Sequence, residues 1–188
     1  MPTKPVSFTD GEKLILLMLC DLHDHLKITS DTNPEFVREA IFSGNLWGLD
    51  WGMLGVFHGH ETPRSTVNEV VDVLSMWERL EESYEALPNE EKARLKEMGP
   101  VGASVHFSGF GENFDAAYMN AASFLIDQLG RFSRFKGRDL NSHVPSVEIY
   151  RRMLPVYEPL LQQVLNKNLD ADQLFEILKE QEHPSRRG

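Results

Sequence analysis

Apolar residues recur at three- and four-residue intervals along nearly the whole chain, a period that predicts amphipathic helices and no convincing strand. The longest predicted helix begins with Thr62 as its cap and runs to about Leu87, where a proline ends it. One face of it carries Val67, Val70, Leu74, Trp77, Leu80, Tyr84 and Leu87. The pattern as a whole predicts an all-α, multihelical single domain over residues 1–181, followed by a disordered tail over residues 182–188.

The first predicted helix differs from the others because it is apolar around most of its circumference. It spans about Gly11–Lys27, with Thr9 or Asp10 as its N-cap. Its apolar residues are Leu14, Ile15, Leu17, Met18, Leu19, Leu22 and Leu26. A helix of this kind lies in a core or at a subunit interface. We therefore expect a homo-oligomer in which this helix or the Thr62–Leu87 helix forms the contact.

Cap residues and prolines place the other helices. Short helices are predicted over Glu35–Phe42, after Asn33 as cap, over Glu90–Met98, and over Ala171–Glu180, after Asp170 as cap. A further helix follows Asn113 or Asp115 and extends to about Phe132. The last long element starts after Ser146 as its cap. We expect it to break or kink near Leu154, with a second piece to about Leu165. Pro155 and Pro159 follow directly, and each removes a backbone donor.

Two segments lack a helical stripe. Ser43–Gly59 is punctuated by glycine, and we interpret it as irregular apart from one helical turn, anchored in the core by Trp47, Trp51 and Phe57. Gly99–Gly111 is the main loop, and its glycines predict that it is the most mobile internal segment. We attribute the Gly109-x-Gly111 pair to loop flexibility, because a phosphate-binding loop would need a preceding strand and a third glycine.

The most specific pattern lies between Gly109 and Leu154. It reads GFGENFDAAYMNAASFLIDQLGRF, then a basic link, then NSHVPSVEIYRRML. Together with TDGEKLILLML near the N-terminus and VVDVLSMWERLEESY in the long helix, it resembles the YfbU family of bacterial helical proteins. The resemblance implies an all-α domain that assembles with copies of itself. It implies no reaction, because the family has no agreed biochemical activity. Gly111 and Glu112 depart from the acidic and amide residues that the family tends to carry after its Gly-Phe pair.

Charge is unevenly distributed along the chain. The formal net charge of −10 argues against general nucleic-acid binding, which depends on cations that neutralise phosphates. Residues 131–152, here termed the basic segment, carry six cations and two carboxylates, a local balance of +4. The cations are Arg131, Arg134, Lys136, Arg138, Arg151 and Arg152.

Two interpretations of the basic segment remain open. Its arginines can bridge acidic helix residues, for which Glu78, Glu81, Glu82 and Glu85 are the candidates. Alternatively, the six cations and His143 form a site for an acidic protein or a phosphate-bearing partner.

Two histidine-containing motifs are candidates for a catalytic site. His58-Gly59-His60-Glu61 is a candidate metal site, because an extended His-x-His directs both rings to one side. It would need a distant third ligand, either His106 or His143, and a solvated loop is the competing interpretation. We interpret Asn141-Ser142-His143 as a helix entry, because neighbouring Ser and His side chains diverge.

Composition narrows the class of protein. The single Cys20 excludes an internal disulfide, and no apolar run approaches the ~18 residues of a membrane span. We expect a cytoplasmic protein without membrane contact and without a cofactor. The lack of a clustered catalytic set favours a non-enzymatic interaction or regulatory protein. The alternatives are a small metal-dependent hydrolase that uses His58, His60 and Glu61, and a nucleic-acid-associated regulator that uses the basic segment.

Overall fold

The fold was described from a computed structural model, which covers residues 6–53, 56, 61–164 and 168–182, without the side chains of residues 163 and 164. Regular secondary structure in these residues is helical, apart from one isolated bridge between Phe110 and Asn141. The predicted all-α, multihelical class is therefore confirmed. The chain divides into two compact units, Met1–Glu61 (unit 1) and Thr62–Gly188 (unit 2).

Among the described residues of unit 1, three helices have defined limits, and local sequence explains the starts of two of them. They are α1 (Asp10–Leu26), α2 (Pro34–Phe42) and α3 (Trp47–Gly52). A capping box between Thr9 and Glu12 begins α1, and the side chain of Asn33 accepts the first N–H groups of α2. The core consists of Cys20, Val37, Ala40 and Leu49.

The tryptophans of unit 1 do not anchor it. We expected Trp47 and Trp51 in the core, but their side chains are 59% and 74% exposed and meet edge to face. The ring of Phe36 lies over α3 instead, at the positions of Gly48 and Gly52. Phe57, the third predicted anchor, lies outside the described residues.

Unit 2 is built around one central helix. Its helices are α4 (Arg64–Ala86), α5 (Asn89–Met98), α6 (Ala116–Ser123), α7 (Val147–Val164) and α8 (Ala171–Leu178). The helix α4 packs against α6, α7 and α8 and buries its apolar stripe there. In the part of the chain that the structure describes, no helix has the length and apolar character required to cross a membrane.

Several helix ends differ from the prediction. α4 begins at Arg64 after Pro63, and no side chain caps it, so Thr62 is not its cap. α6 widens into a π-helical turn, Phe124–Gln128, and stops there because left-handed backbone follows at Gly130 and Phe132. The predicted tail lies outside the described residues apart from Glu182.

Of the two outcomes predicted near Leu154, the break is wrong and the kink stays a prediction. α7 runs without interruption from Val147 to Val164 and contains both Pro155 and Pro159. Both prolines are exposed, so the carbonyl groups that lose their helical donors face water. A proline on the solvent side bends a helix around the core without ending it.

The segment Gly99–Gly111 is packed, contrary to the interpretation as a loose loop. It begins with a 3₁₀ turn, Pro100–Ala103, and then buries Val105, Phe107 and Phe110. The ring of Phe107 contacts four other aromatic rings, those of Trp77, Phe110, Phe135 and Tyr150. These side chains form the centre of the unit 2 core.

Candidate functional site

Two loops of the segment Gly109–Leu154 cross, one at Phe110 and the other between Leu140 and Ser142. The N–H of Phe110 donates to the Leu140 carbonyl at 2.8 Å, and the N–H of Ser142 donates to the Phe110 carbonyl at 3.1 Å. Gly109 has a φ of +88°, and a Cβ atom there would lie 2.0 Å from the Leu140 carbonyl oxygen. Close approach of the two loops, and not flexibility, requires this glycine.

Asp115 joins the loop crossing to the start of α7. Its Oδ2 accepts the N–H groups of Ser146 at 2.8 Å, Gly111 at 3.3 Å and Val147 at 3.4 Å. The carboxylate therefore caps α7 from a distance of 31 residues along the chain. Ser146 is not the capping side chain, because its Oγ lies 3.1 Å from the Gly109 carbonyl oxygen. Sequence spacing identifies only caps that are close to their helix along the chain. The sequence therefore did not predict this role of Asp115.

Asn141 organises the helix entry, as predicted. Its Oδ1 accepts the His143 N–H at 2.9 Å, while the hydroxyl of Ser142 donates to the Val144 carbonyl. Asn141 also exchanges two hydrogen bonds with Glu112, one through its Nδ2 at 2.9 Å and one from the Glu112 N–H at 3.3 Å. Glu112, where the chain departs from the family pattern, thus has a structural partner.

Glu81 is the acidic centre on which part of the basic segment converges. The carboxylate is buried on α4 and receives two hydrogen bonds from the Arg138 guanidinium, at 2.7 and 2.8 Å, and one from the Phe107 N–H at 2.9 Å. Burial raises the pKa of Glu81, but the Arg138 and Phe107 hydrogen bonds outweigh it and hold this pKa below its usual range. His106 Nδ1 lies 3.6 Å from the same carboxylate.

The other arginines of the basic segment have different partners. Arg134 pairs with Glu85 at 2.8 Å and lies 3.9 Å from Glu81 and from Glu82. Arg134 and Arg138 therefore form the ion pairs with acidic residues of α4 that the structural interpretation expects. Arg151 binds Glu69, Glu148 and the Tyr118 hydroxyl. Arg152 donates to the Glu148 and Glu180 carbonyl oxygens.

Three members of the predicted anion or partner site do not take part in these ion pairs. Within the described residues, the side chains of Arg131 and Lys136 form no ion pair or hydrogen bond. His143 contributes its backbone N–H to the turn and has a left-handed φ of 57°. Binding of an acidic or phosphate-bearing partner by the basic segment stays a prediction.

Most of the candidate metal site lies outside the described residues. His58 and His60 lie outside the described residues, and Glu61 is exposed. Among the residues that are described, no group of three or more His, Cys, Asp or Glu side chains could hold a metal ion. The structure thus gives the hydrolase alternative no support.

α1 leaves one of its two apolar faces uncovered. It packs in unit 1 through Cys20, the only buried residue of this helix. On the opposite side, six apolar side chains are each more than half exposed: Leu14, Ile15, Met18, Leu19, Leu22 and Leu26. We call these six residues the α1 apolar face. At about 100° per residue they occupy one continuous arc of about 140°.

The α1 apolar face bears on which of two helices could form the expected oligomer contact. Two helices were candidates, and α4 buries its stripe in the core of unit 2. Of these two helices, α1 is therefore the one whose apolar stripe is exposed. The sequence showed that α1 is apolar all round, but not which side the rest of unit 1 covers.

Comparison with known proteins extends the family resemblance. A model of the YfbU domain family matches residues 7–179. The chain is also similar to the UPF0304 protein MJECS11 of Methanocaldococcus jannaschii, with 30% identity over 104 residues. That match covers 52% of this chain and 58% of the relative, which is archaeal, whereas the resemblance pointed to bacterial proteins. Because the family match extends across both units, the chain belongs to the YfbU domain family.

Proposed function

We propose that this protein is a non-enzymatic helical interaction module that assembles with copies of itself through the α1 apolar face. The observation that carries the proposal is the continuous arc of six exposed apolar side chains on one helix. Monomeric proteins rarely expose contiguous apolar patches of this kind, and such patches mark interaction sites.

The size of the face is consistent with self-association. Burying the exposed part of each side chain contributes about 1 kcal/mol, so two copies of the face contribute on the order of 12 kcal/mol. Association costs about 4–15 kcal/mol in lost translational and rotational freedom. At the low end of that cost the difference is about 8 kcal/mol, which corresponds to a dimer that forms at micromolar concentration.

The polar clusters support a non-enzymatic role. Asp115 is occupied with backbone N–H groups, and Glu81 is occupied with Arg138 and Phe107. Both carboxylates hold loops against helices of unit 2. Their chemistry thus serves the fold, and the apolar surface of unit 1 is left as the strongest feature that calls for a partner.

Light scattering of the purified chain tests the proposal. At tens of micromolar, the wild type should be a dimer or larger, and Leu22→Lys should be monomeric because it places a charge in the centre of the face. Leu129→Lys is the matched control, since Leu129 is a similarly exposed leucine in unit 2, and it should leave the assembly unchanged. Circular dichroism verifies that both variants are folded. A wild type that is monomeric at this concentration refutes the proposal.

A further inference from the structure

We infer that unit 1 contains a binding pocket for a small, uncharged aliphatic molecule, in the cleft between α1, the first turn of α2 and the turn that joins the two helices. The inference goes beyond the proposed function, because this pocket belongs to a single copy of the chain. It follows from the volume of the cleft, from its lining and from the hydrogen bonds at its edge.

The cleft runs along one side of α1. Its lining residues on this helix extend from Leu16 to His23, a rise of about 10 Å. Its volume is about 320 Å³. A cavity of about 150 Å³ holds benzene, so this cleft has room for about ten non-hydrogen atoms in an extended arrangement. Most of its lining is apolar or weakly polar and consists of Leu16, Leu19, Cys20, Ile28, Pro34 and Val37.

The cleft reaches the core of unit 1. Cys20 and Val37 are buried core residues, whereas Leu19 and Ile28 are half-exposed and lie nearer to solvent. A ligand in the cleft would therefore lie against Cys20 and cover Leu19 and Ile28. Burial raises the pKa of the Cys20 thiol, so this thiol stays protonated and uncharged at neutral pH.

The polar groups of the cleft are already bonded to one another. The hydroxyl of Ser30 donates to the Thr32 carbonyl at 3.2 Å, and its oxygen accepts the Thr32 N–H at 3.3 Å. Because the single hydroxyl hydrogen of Ser30 is used in this way, His23 Nε2 is the donor in the 2.9 Å hydrogen bond to Ser30 Oγ. Among the described residues that line the cleft there is no Asp, Glu, Lys or Arg.

This lining selects the class of ligand. A charged group in the cleft would lose its water without gaining a counter-charge. An extended peptide would bring backbone N–H and C=O groups, for which the bonded polar groups of the cleft offer no partner. An aliphatic chain has no such groups, and its transfer out of water is favourable. A medium-chain alcohol, with its chain in the cleft and its hydroxyl in water, therefore matches both the volume and the polarity.

Protection of Cys20 from a thiol reagent tests the inference on the full chain. Cys20 is the only cysteine, so its rate of reaction with N-ethylmaleimide reports on the cleft alone. Saturating 1-octanol should slow this reaction at least about tenfold, which corresponds to at least about 90% occupancy of the cleft. Octanoate, which has a charged headgroup, should protect much less. Isothermal titration calorimetry of 1-octanol measures the same binding without the thiol.

Two variants locate the binding. Ile28→Asp places a charge at the edge of the cleft and should abolish protection by 1-octanol. Phe42→Asp is the matched control, since Phe42 is an exposed apolar residue of unit 1 that does not line the cleft, and it should retain protection. Circular dichroism verifies that both variants are folded. Equal rates with and without 1-octanol in the wild type, with no heat of binding, overturn the inference. Full protection in Ile28→Asp, or by octanoate, overturns it as well.

A third variant separates this pocket from self-association, because Leu19 belongs to both the cleft and the α1 apolar face. Leu22→Lys, which changes a residue outside the cleft, should retain protection by 1-octanol as a monomer. Loss of protection in this monomer would place the site between copies and overturn the inference. A wild type that is monomeric yet protected refutes the proposed function and supports the pocket.

Discussion

Truncation of Arg138 should strongly destabilise unit 2. Its guanidinium makes both side-chain hydrogen bonds to Glu81, whose side chain is only 5% exposed. Removing one partner of a fully buried ion pair costs about 3–5 kcal/mol, because the remaining charge stays buried without compensation. Two features reduce this cost here: Arg138 is itself 27% exposed, and Glu81 keeps the Phe107 N–H. We expect Arg138→Ala to lower the free energy of unfolding by about 2–3 kcal/mol.

Urea denaturation followed by circular dichroism at neutral pH measures this change. Arg131→Ala is the matched control, since Arg131 belongs to the same basic segment and is exposed, and it should change stability by less than about 0.5 kcal/mol. Adding Glu81→Gln to Arg138→Ala should restore part of the loss, because the buried charge is then removed. Equal effects of Arg131→Ala and Arg138→Ala would refute the structural role assigned to the pair.

Two further predictions concern acid stability and the loop crossing. Because the pKa of Glu81 is held low in the folded protein, its stabilising effect is complete above the unfolded pKa of about 4.3 and is lost as pH falls through the folded pKa. Urea midpoints measured from neutral to acid pH should therefore fall, and less steeply in Glu81→Gln. Gly109→Ala should cost more than about 3 kcal/mol, whereas Gly137→Ala, at a φ of +78° in open space, should cost about 1–2 kcal/mol. Equal urea midpoints for the two glycine variants would show that the loops can separate freely.

Local signals in the sequence predicted the elements that depend on local physics. Thr9, Asn33 and Asp170 were each proposed as caps, and each accepts backbone N–H groups in its own first turn. The limits of α1, α2 and α8 were therefore predicted within two residues. At these positions a polar side chain and its target are neighbours on the chain, so spacing alone identifies the interaction.

The errors arose where a distant segment decides the outcome. Val105 and Phe107 show no helical period, yet they fill the core because Glu81 of α4 accepts the Phe107 N–H. Pro155 and Pro159 led to the prediction of a break or a kink, because the sequence does not show that both prolines face solvent.

One of the two interpretations of the basic segment was that its arginines pair with acidic residues of α4, and two of the arginines do so. Arg134 and Arg138 bind Glu85 and Glu81, whereas the partners of Arg151 and Arg152 could not be assigned from spacing. The exposed α1 apolar face was also only half predicted, because periodicity gives the apolar sides of a helix without indicating which neighbour covers them.

The remote cap of α7 has a consequence for the order in which unit 2 folds. Helices α1 and α8 carry complete capping boxes, so each can initiate from residues within one turn. α7 cannot complete its first turn in this way until Asp115 arrives from the loop before α6. Closing that loop costs chain entropy before the hydrogen bonds form. The start of α7 and the 109–115 crossing should therefore be acquired together and late, as one cooperative step that amide exchange would detect as a shared protection factor.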